Sequence, residues 1–198
     1  MANITAKQIA ELRAKTGIGM MECKKALVES DGDETRAIGV LKKSGALKAM
    51  KRADRETNAG IVESYVHTNG QVGVLVEVQA ETDFVAKNDE FKAFAHDVAL
   101  HIAAMNPQYV SSDQVPADET EKMRAEFVEQ VAASGKPKEI ADKIVEGKVA
   151  KHFEESCLLS QPFVKDPSMT INDLLTEKIA KIGEKITISR FCRFEIGE

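Results

Sequence analysis

The sequence predicts an α+β protein: an N-terminal three-helix bundle followed by a core in which helices cover a three-stranded antiparallel sheet. Two patterns predict this class. Apolar residues recur at helical spacing over the first 50 residues, whereas from Gly60 the period changes to two, which is typical of strands. We therefore predict two domains, a head of residues 1–54 and an α+β core and dimerisation domain of residues 55–198.

Three short helices are predicted in the head. The first begins at Ala6, because Thr5 and Gln8 have the spacing of a capping box, and it ends at Gly17. The second begins near Met20 and ends at an Asp-Gly-Asp turn, whose last residue can cap the third helix. Because these helices hold few large apolar residues, we expect a small bundle of marginal stability.

Charge is distributed unevenly between the two predicted domains. Residues 1–56 hold twelve basic and eight acidic residues, a local net charge of +4, whereas the remainder carries −9 and the whole chain −5. A basic head on an acidic body favours electrostatic steering towards a charged partner. The densest basic run, from Lys42 to Arg55, is either a solvated helix or linker face or a contact for nucleic acid.

A β-hairpin and a covering helix are predicted next. Residues 61–67 and 72–79 are rich in β-branched residues and flank Asn69-Gly70, which is the strongest short signal for a hairpin. Four valines at alternate positions give the second strand one apolar face. A helix from about Asn88 to Asn106 carries an apolar stripe that can cover this face.

The remainder of the core is predicted to be helical and to end on a strand. Helices extend from about residue 117 to Cys157 with an interruption at residues 134–137, and an irregular link follows at residues 161–167. After a last helix of residues 171–182, every second residue from Ile186 to Ile196 alternates with polar residues and Phe191, which predicts a third strand. We expect this strand to join the hairpin, because an isolated hairpin is marginally stable in water.

Composition excludes several classes of protein. The N-terminus lacks a basic segment followed by an apolar one, and no window approaches the length of a membrane span, so we expect a cytoplasmic protein without a membrane segment. Three widely spaced cysteines fit neither a disulfide framework nor a metal knuckle. With no Trp and 5% aromatic residues, the chain lacks a stacking platform for nucleic acid, so no direct contact with nucleic acid is expected.

No constellation of residues indicates catalysis. The sequence has no phosphate-binding loop, and its histidines are not spaced as zinc ligands on one helix face, so we expect structural roles for all four: His67, His96, His101 and His152. Two of the cysteines, Cys23 and Cys157, lie on predicted apolar helix faces, where a thiol acts as a small apolar group. We therefore expect no enzyme, no catalytic residue, no metal and no cofactor.

One segment between the hairpin and its covering helix has two interpretations. In the first, Thr82 or Asp83 caps the helix and Phe84 folds into the core. In the second, Phe84 projects from the corner as a wedge, since interfaces are enriched in aromatic anchors. Composition and spacing leave both interpretations open.

The chain resembles the elongation factor Ts family at three motifs, and these carry the resemblance: Thr16–Leu27 in the head, Thr82–Asn88 after the hairpin and Arg190–Gly197 at the end. The links at residues 106–110 and 158–163 are also similar to the family. The five segments occur in the family's order through nearly the whole chain. The resemblance implies a head like a ubiquitin-associated three-helix bundle and an α+β core.

The resemblance also implies a function and its residues. It implies a guanine-nucleotide exchange factor that binds the GDP form of elongation factor Tu, disrupts the magnesium site and promotes GDP release so that GTP can bind. Four residues would enter the GTPase beside that site, with Phe84 as the wedge: Thr82, Asp83, Phe84 and Val85. Three others would dock the head on the GTPase domain: Arg13, Met20 and Met21.

The length of the chain motivates a prediction of the oligomeric state. Longer members of the family carry a second core subdomain, a helical hairpin and a C-terminal module, whereas this sequence ends directly after the predicted third strand. We expect a homodimer that buries the face presented by the last helix and strand. Two alternatives to exchange activity remain open: a binding adaptor whose glycine-methionine turn holds a peptide or another protein, and a nucleic-acid module using the basic run.

Overall fold

The computed structural model describes residues 4–132 and 138–197. Within these residues the elements are α1 (Ala6–Thr16), α2 (Met20–Glu29), α3 (Glu34–Lys51), β1 (Ala59–Val66), β2 (Val72–Ala80), α4 (Asp83–Ala86), α5 (Asp89–Met105), α6 (Ala117–Ala132), α7 (Lys138–Ser156), β3 (Pro162–Phe163), β4 (Asp166–Thr170), α8 (Ile171–Ile182) and β5 (Ile186–Glu195). The α+β class is confirmed. The interruption predicted at residues 134–137 lies outside the described residues.

The chain divides into two compact units, each made of three segments. The first unit comprises Met1–Ile61, Val78–Phe94 and Asp173–Thr187. The second unit comprises Val62–Glu77, Ala95–Asn172 and Ile188–Glu198. This division does not test the domain boundary expected at residue 54, which stays a prediction.

The three helices of the head begin and end where local sequence predicts. The Thr5 backbone N–H donates to Gln8 Oε1 at 2.9 Å, and the Gln8 N–H donates to Thr5 Oγ1 at 3.3 Å, which completes the capping box. Gly17 ends α1 at a φ of 66°, a left-handed conformation that suits glycine. A small apolar core holds the bundle together: Ile9, Leu12, Ile18, Cys23, Ala26, Leu27, Ala37 and Leu41.

Within the first unit, α3 packs closely against α8. Gly45 is buried on α3, and a Cβ at this position would lie 3.2 Å from Ala180 Cβ and 3.9 Å from Thr176 Cγ2. The first of these distances is tighter than most contacts between side chains, so the absence of a side chain at Gly45 lets the two helices approach. A Cβ at Gly39, on the same helix, would have no described atom from outside that helix within 4 Å.

Gly45→Ala is expected to be less stable than its matched control Gly39→Ala. Both substitutions gain about 0.5–1 kcal/mol of helix propensity. Only the methyl group at position 45 overpacks the contact with Ala180, which costs about 1–3 kcal/mol. Urea unfolding should therefore give a free energy of unfolding for Gly45→Ala that is lower by about 1–3 kcal/mol. Equal stabilities would contradict the close approach of α3 and α8.

The sheet has the order β1-β2-β5 and is antiparallel, so the predicted third strand does join the hairpin. On β2 the side chains of Val74, Val76 and Val78 are buried, and the predicted stripe on α5 is fully buried: Phe91, Phe94, Ala95, Val98 and Ile102. His96 Nδ1 on α5 lies 3.1 Å from Glu63 Oε1 on β1. One face of the sheet is therefore covered by α5, as expected.

The burial of alternate residues changes phase along β5. Ile186 and Ile188 are buried, but from Arg190 onward the alternation changes phase, and Phe194 is exposed. Such a change is what a β-bulge produces. At this end of the strand the Arg193 guanidinium donates to the carbonyl of Ala103 on α5 at 3.4 Å, so this side chain faces the helix.

The link predicted to be irregular after residue 160 instead contains the antiparallel pair β3 and β4. A buried histidine organises it. The Val164 N–H donates to His101 Nδ1 at 3.2 Å, so the His101 proton is on Nε2, which donates to Gln161 Oε1 at 2.9 Å. Burial lowers the pKa of His101, which keeps the ring neutral. The structural role predicted for this histidine is confirmed.

Candidate partner-binding site

The segment singled out by the sequence forms a single helical turn, α4, directly after β2. Thr82 has an extended backbone, and its hydroxyl accepts a hydrogen bond from the Val85 N–H at 3.5 Å. The Ala86 and Lys87 N–H groups donate to the carbonyls of Thr82 and Asp83, at 3.3 and 3.2 Å. Thr82 is therefore the cap of this turn. It is one of the two residues predicted as a cap, the other being Asp83.

Phe84 does not fold into the core. On α4 the side chain of Ala86 is buried and that of Val85 is half-buried, so this four-residue turn directs Phe84 outward. Phe84 is 81% exposed, the largest exposed fraction among the large apolar side chains of residues 4–132 and 138–197. Burying a Phe side chain stabilises a fold by about 1.5–3 kcal/mol, and most of this stabilisation is absent for Phe84 because its ring stays in solvent. A ring so placed is available for contact with a partner.

A carboxylate lies next to the exposed ring. Asp83 is exposed, and its Oδ2 lies 2.7 Å from Lys87 Nζ, one turn further along the chain. The hydrogen bond from Lys87 holds the pKa of Asp83 below its usual value, so this carboxyl is ionised at neutral pH. The turn thus presents an aromatic ring beside an exposed ion pair between Asp83 and Lys87.

The base of the turn is held by residues that sequence reasoning missed. Glu184 accepts hydrogen bonds from the Thr82 N–H at 3.0 Å and from the Thr82 hydroxyl at 2.8 Å. Glu81 accepts from the Lys185 N–H at 2.6 Å, and this bond holds the pKa of Glu81 below its usual value. These partners lie 102 and 104 positions apart along the chain, so no local pattern could have indicated them.

The residues predicted to dock the head lie at the ends of α1 and α2. Arg13 is exposed on the last turn of α1, and Met20 and Met21 on the first turn of α2 are 47% and 67% exposed. The two methionines are therefore not part of the head's core, whereas Ile18 just before them is buried. Flexible thioether side chains suit adaptable contacts with another protein. Docking by these three residues remains a prediction.

Neither a metal centre nor a membrane segment is found in the part of the chain that the structure describes. None of its groups of three or more His, Cys, Asp or Glu residues could hold a metal ion. No helix in residues 4–132 and 138–197 is long and apolar enough to cross a membrane. The three cysteines are free, with Cys23 and Cys157 buried and Cys192 exposed.

Comparison with known proteins identifies the family. A family model described as Elongation factor TS matches residues 5–198. The chain is 53% identical over 198 residues to Elongation factor Ts of Desulfosudis oleivorans, covering all of both chains. It is 53% identical over 195 residues to Elongation factor Ts of Carboxydothermus hydrogenoformans, covering 98% of this chain and 90% of that protein. It is 55% identical over 196 residues to Elongation factor Ts of Alkaliphilus oremlandii, covering 99% and 90%. This chain belongs to the elongation factor Ts family, which implies a guanine-nucleotide exchange role for elongation factor Tu in translation elongation.

Proposed function

We propose that this protein binds the GDP form of elongation factor Tu in the cytoplasm and releases GDP by disrupting the magnesium site of the GTPase. The observation that carries the proposal is the exposure of Phe84 on a capped turn anchored to a buried strand. Thr82, Asp83, Phe84 and Val85 form the wedge. The proposal needs no acid, base or nucleophile, because no covalent bond is made or broken.

The mechanism follows from linkage between two ligands of one GTPase. Magnesium bridges and neutralises phosphate oxygens of the bound nucleotide, so its displacement weakens GDP binding. If the factor lowers the affinity for nucleotide, nucleotide lowers the affinity for the factor by the same ratio, and each tenfold is about 1.4 kcal/mol. The factor therefore acts by binding the nucleotide-free GTPase more tightly than the GDP-bound form.

Docking and displacement are assigned to different parts of the first unit. Arg13, Met20 and Met21 are proposed to bind the GTPase domain whether or not nucleotide is present, which sets the affinity of the first encounter. Phe84 and Asp83 are proposed to act only when the turn enters the magnesium site, which sets the rate of GDP release. The net charge of +4 over residues 1–56 favours a partner with an acidic surface.

A homodimer is proposed to form through the uncovered face of the sheet. Four large apolar side chains on this face are at least 49% exposed, and all belong to the second unit: Val62, Val66, Leu75 and Phe194. The last helix was expected to share this interface, but four of its apolar side chains are already buried within the single chain, so the proposed interface does not rely on them: Ile171, Leu174, Leu175 and Ile179. Exposed apolar side chains on one face of a sheet are typical of an interface.

The proposed function is tested by the release of labelled GDP from purified elongation factor Tu. Substoichiometric protein should accelerate release at millimolar Mg²⁺, with each molecule serving many GTPases. The acceleration should shrink when EDTA removes Mg²⁺, because the step assigned to the factor has then already occurred. An unchanged rate of GDP release at millimolar Mg²⁺ would refute the proposal. Strongly salt-dependent RNA binding would instead favour the nucleic-acid alternative.

A further inference from the structure

The turn that carries Phe84 is hydrogen-bonded through its cap residue, Thr82, to the loop between α8 and β5. This loop, residues 183–185, follows the last helix, and Gly183 adopts a φ of 87° there. From the loop, the Glu184 carboxylate accepts the Thr82 N–H at 3.0 Å and the Thr82 hydroxyl at 2.8 Å. Both bonds end on the same carboxylate, and hydrogen bonds to a carboxylate are stronger than those between neutral groups.

The hydrogen bonds between the two segments run in both directions. Glu184 reaches from the loop to the backbone of Thr82, while Glu81 reaches back to the backbone N–H of Lys185 at 2.6 Å. Arg55 adds an ion pair with Glu81, with Nη1 3.0 Å from Oε2. We call these two interlocked carboxylates, Glu81 and Glu184, the clasp. All of its members lie in the first unit.

Lys185, whose backbone N–H is bound by the clasp, also holds the end of the head. Lys185 Nζ donates to the carbonyls of Ala53 and Arg55, both at 2.7 Å. Lys185 is thus held at two places: its backbone N–H is bound by Glu81, and its side chain binds the segment that follows α3. Three separate parts of the chain therefore meet at this loop: the end of the head, the segment between β2 and α4, and the loop itself.

We propose that Glu184 is a positioning residue for nucleotide exchange, which holds α4 in place so that Phe84 meets the GTPase already oriented. This inference rests on the proposed function of the wedge. A turn of four residues has little stability of its own, because helix nucleation is unfavourable. Without Glu184, Thr82 loses two acceptors, α4 frays, and Phe84 has to be ordered at the moment of insertion, which costs conformational entropy.

This role predicts a separation between rate and binding. The proposed encounter between the two proteins depends on the docking residues of the head, whereas Glu184 bonds to Thr82 at the base of the turn. Insertion of the wedge comes later and controls the release of GDP. Loss of Glu184 should therefore lower the maximal rate of GDP release and leave the half-saturating concentration of the factor nearly unchanged.

The test compares three variants in the full chain. Glu184→Ala removes both acceptors, Glu184→Gln keeps a carbonyl oxygen that can accept one bond, and Glu177→Ala is the matched control on the exposed face of α8. Glu184→Ala should lower the maximal rate of GDP release about tenfold, equivalent to 1.4 kcal/mol. Glu184→Gln should show a smaller fall, and Glu177→Ala none. A maximal rate for Glu184→Ala equal to that of the unmodified protein would overturn the inference.

Two further measurements separate positioning from a general effect. In a Phe84→Ala background, Glu184→Ala should cause little additional loss, because both act through one wedge. An equal loss in both backgrounds would overturn the inference. Hydrogen exchange without the GTPase should be faster in Glu184→Ala at the amides of Ala86, Lys87 and Asn88, which α4 protects. If the unmodified protein does not accelerate the release of GDP from elongation factor Tu, the proposed function fails. In that case the hydrogen-exchange measurement alone decides whether Glu184 positions the turn.

Discussion

Replacing Phe84 with alanine is expected to remove most of the stimulation of GDP release while leaving the fold intact. The side chain is 81% exposed, so its truncation should change the free energy of unfolding by less than about 0.5 kcal/mol. As a central aromatic anchor it should contribute about 2 kcal/mol or more to the inserted state. The rate of GDP release at saturating factor should therefore fall about thirtyfold or more.

The control for Phe84→Ala is Met50→Ala. Met50 lies on α3 in the same unit and is 72% exposed, so this substitution also removes an exposed apolar side chain. It should leave both GDP release and stability unchanged. Thermal unfolding of both variants checks that neither is misfolded. If Phe84→Ala matched Met50→Ala in GDP release, the wedge would have to be sought elsewhere on the molecule.

Replacing Phe194 with glutamate is expected to convert the proposed dimer to monomers. Phe194 is 69% exposed on the uncovered face of the sheet, in a patch with Leu75 and Val66. Burying an unpaired carboxylate there costs several kcal/mol. A two-fold interface contains the substituted residue twice, so the penalty is counted twice. The dissociation constant should therefore rise by more than a thousandfold, at about 1.4 kcal/mol per tenfold.

Sedimentation at micromolar concentration measures this outcome. The unmodified protein should sediment at twice the chain mass of 21.7 kDa, and Phe194→Glu at 21.7 kDa. Met50→Glu, which places the same charge on α3 in the first unit, should stay dimeric. An unmodified protein that sediments only at 21.7 kDa would end the proposal of a dimer. A dimeric Phe194→Glu would move the interface off this face of the sheet.

The parts of the fold that sequence predicted correctly depend on short-range chemistry. The capping box of Thr5 and Gln8 begins α1, and Gly70 occupies the left-handed position of the hairpin turn at a φ of 70°. The long apolar stripe of α5 is periodic enough to be recognised without knowledge of its partner. In each case the residues that decide the structure lie within a few positions of one another or repeat regularly.

The parts that sequence left open or missed depend on distant partners. A four-residue turn has no period, so composition could not decide whether Phe84 faced the core or the solvent. The phase change in the burial of β5 accompanies the bond between Arg193 and the end of α5, which joins residues 90 positions apart. The pair β3 and β4 has a two-residue strand that begins with a proline, which weakens any strand signal.

The clasp also has a consequence for the biosynthesis of this protein. Glu184 is translated 102 residues after Thr82, so on the ribosome about 5–20 s pass between the two at typical elongation rates. During that time the nascent chain carries Phe84 but not the carboxylate that holds its turn. Under the proposed mechanism, a chain that stops before Glu184 would bind the GTPase through its head without an ordered wedge, so its stimulation of GDP release should be weaker than that of a chain that includes Glu184.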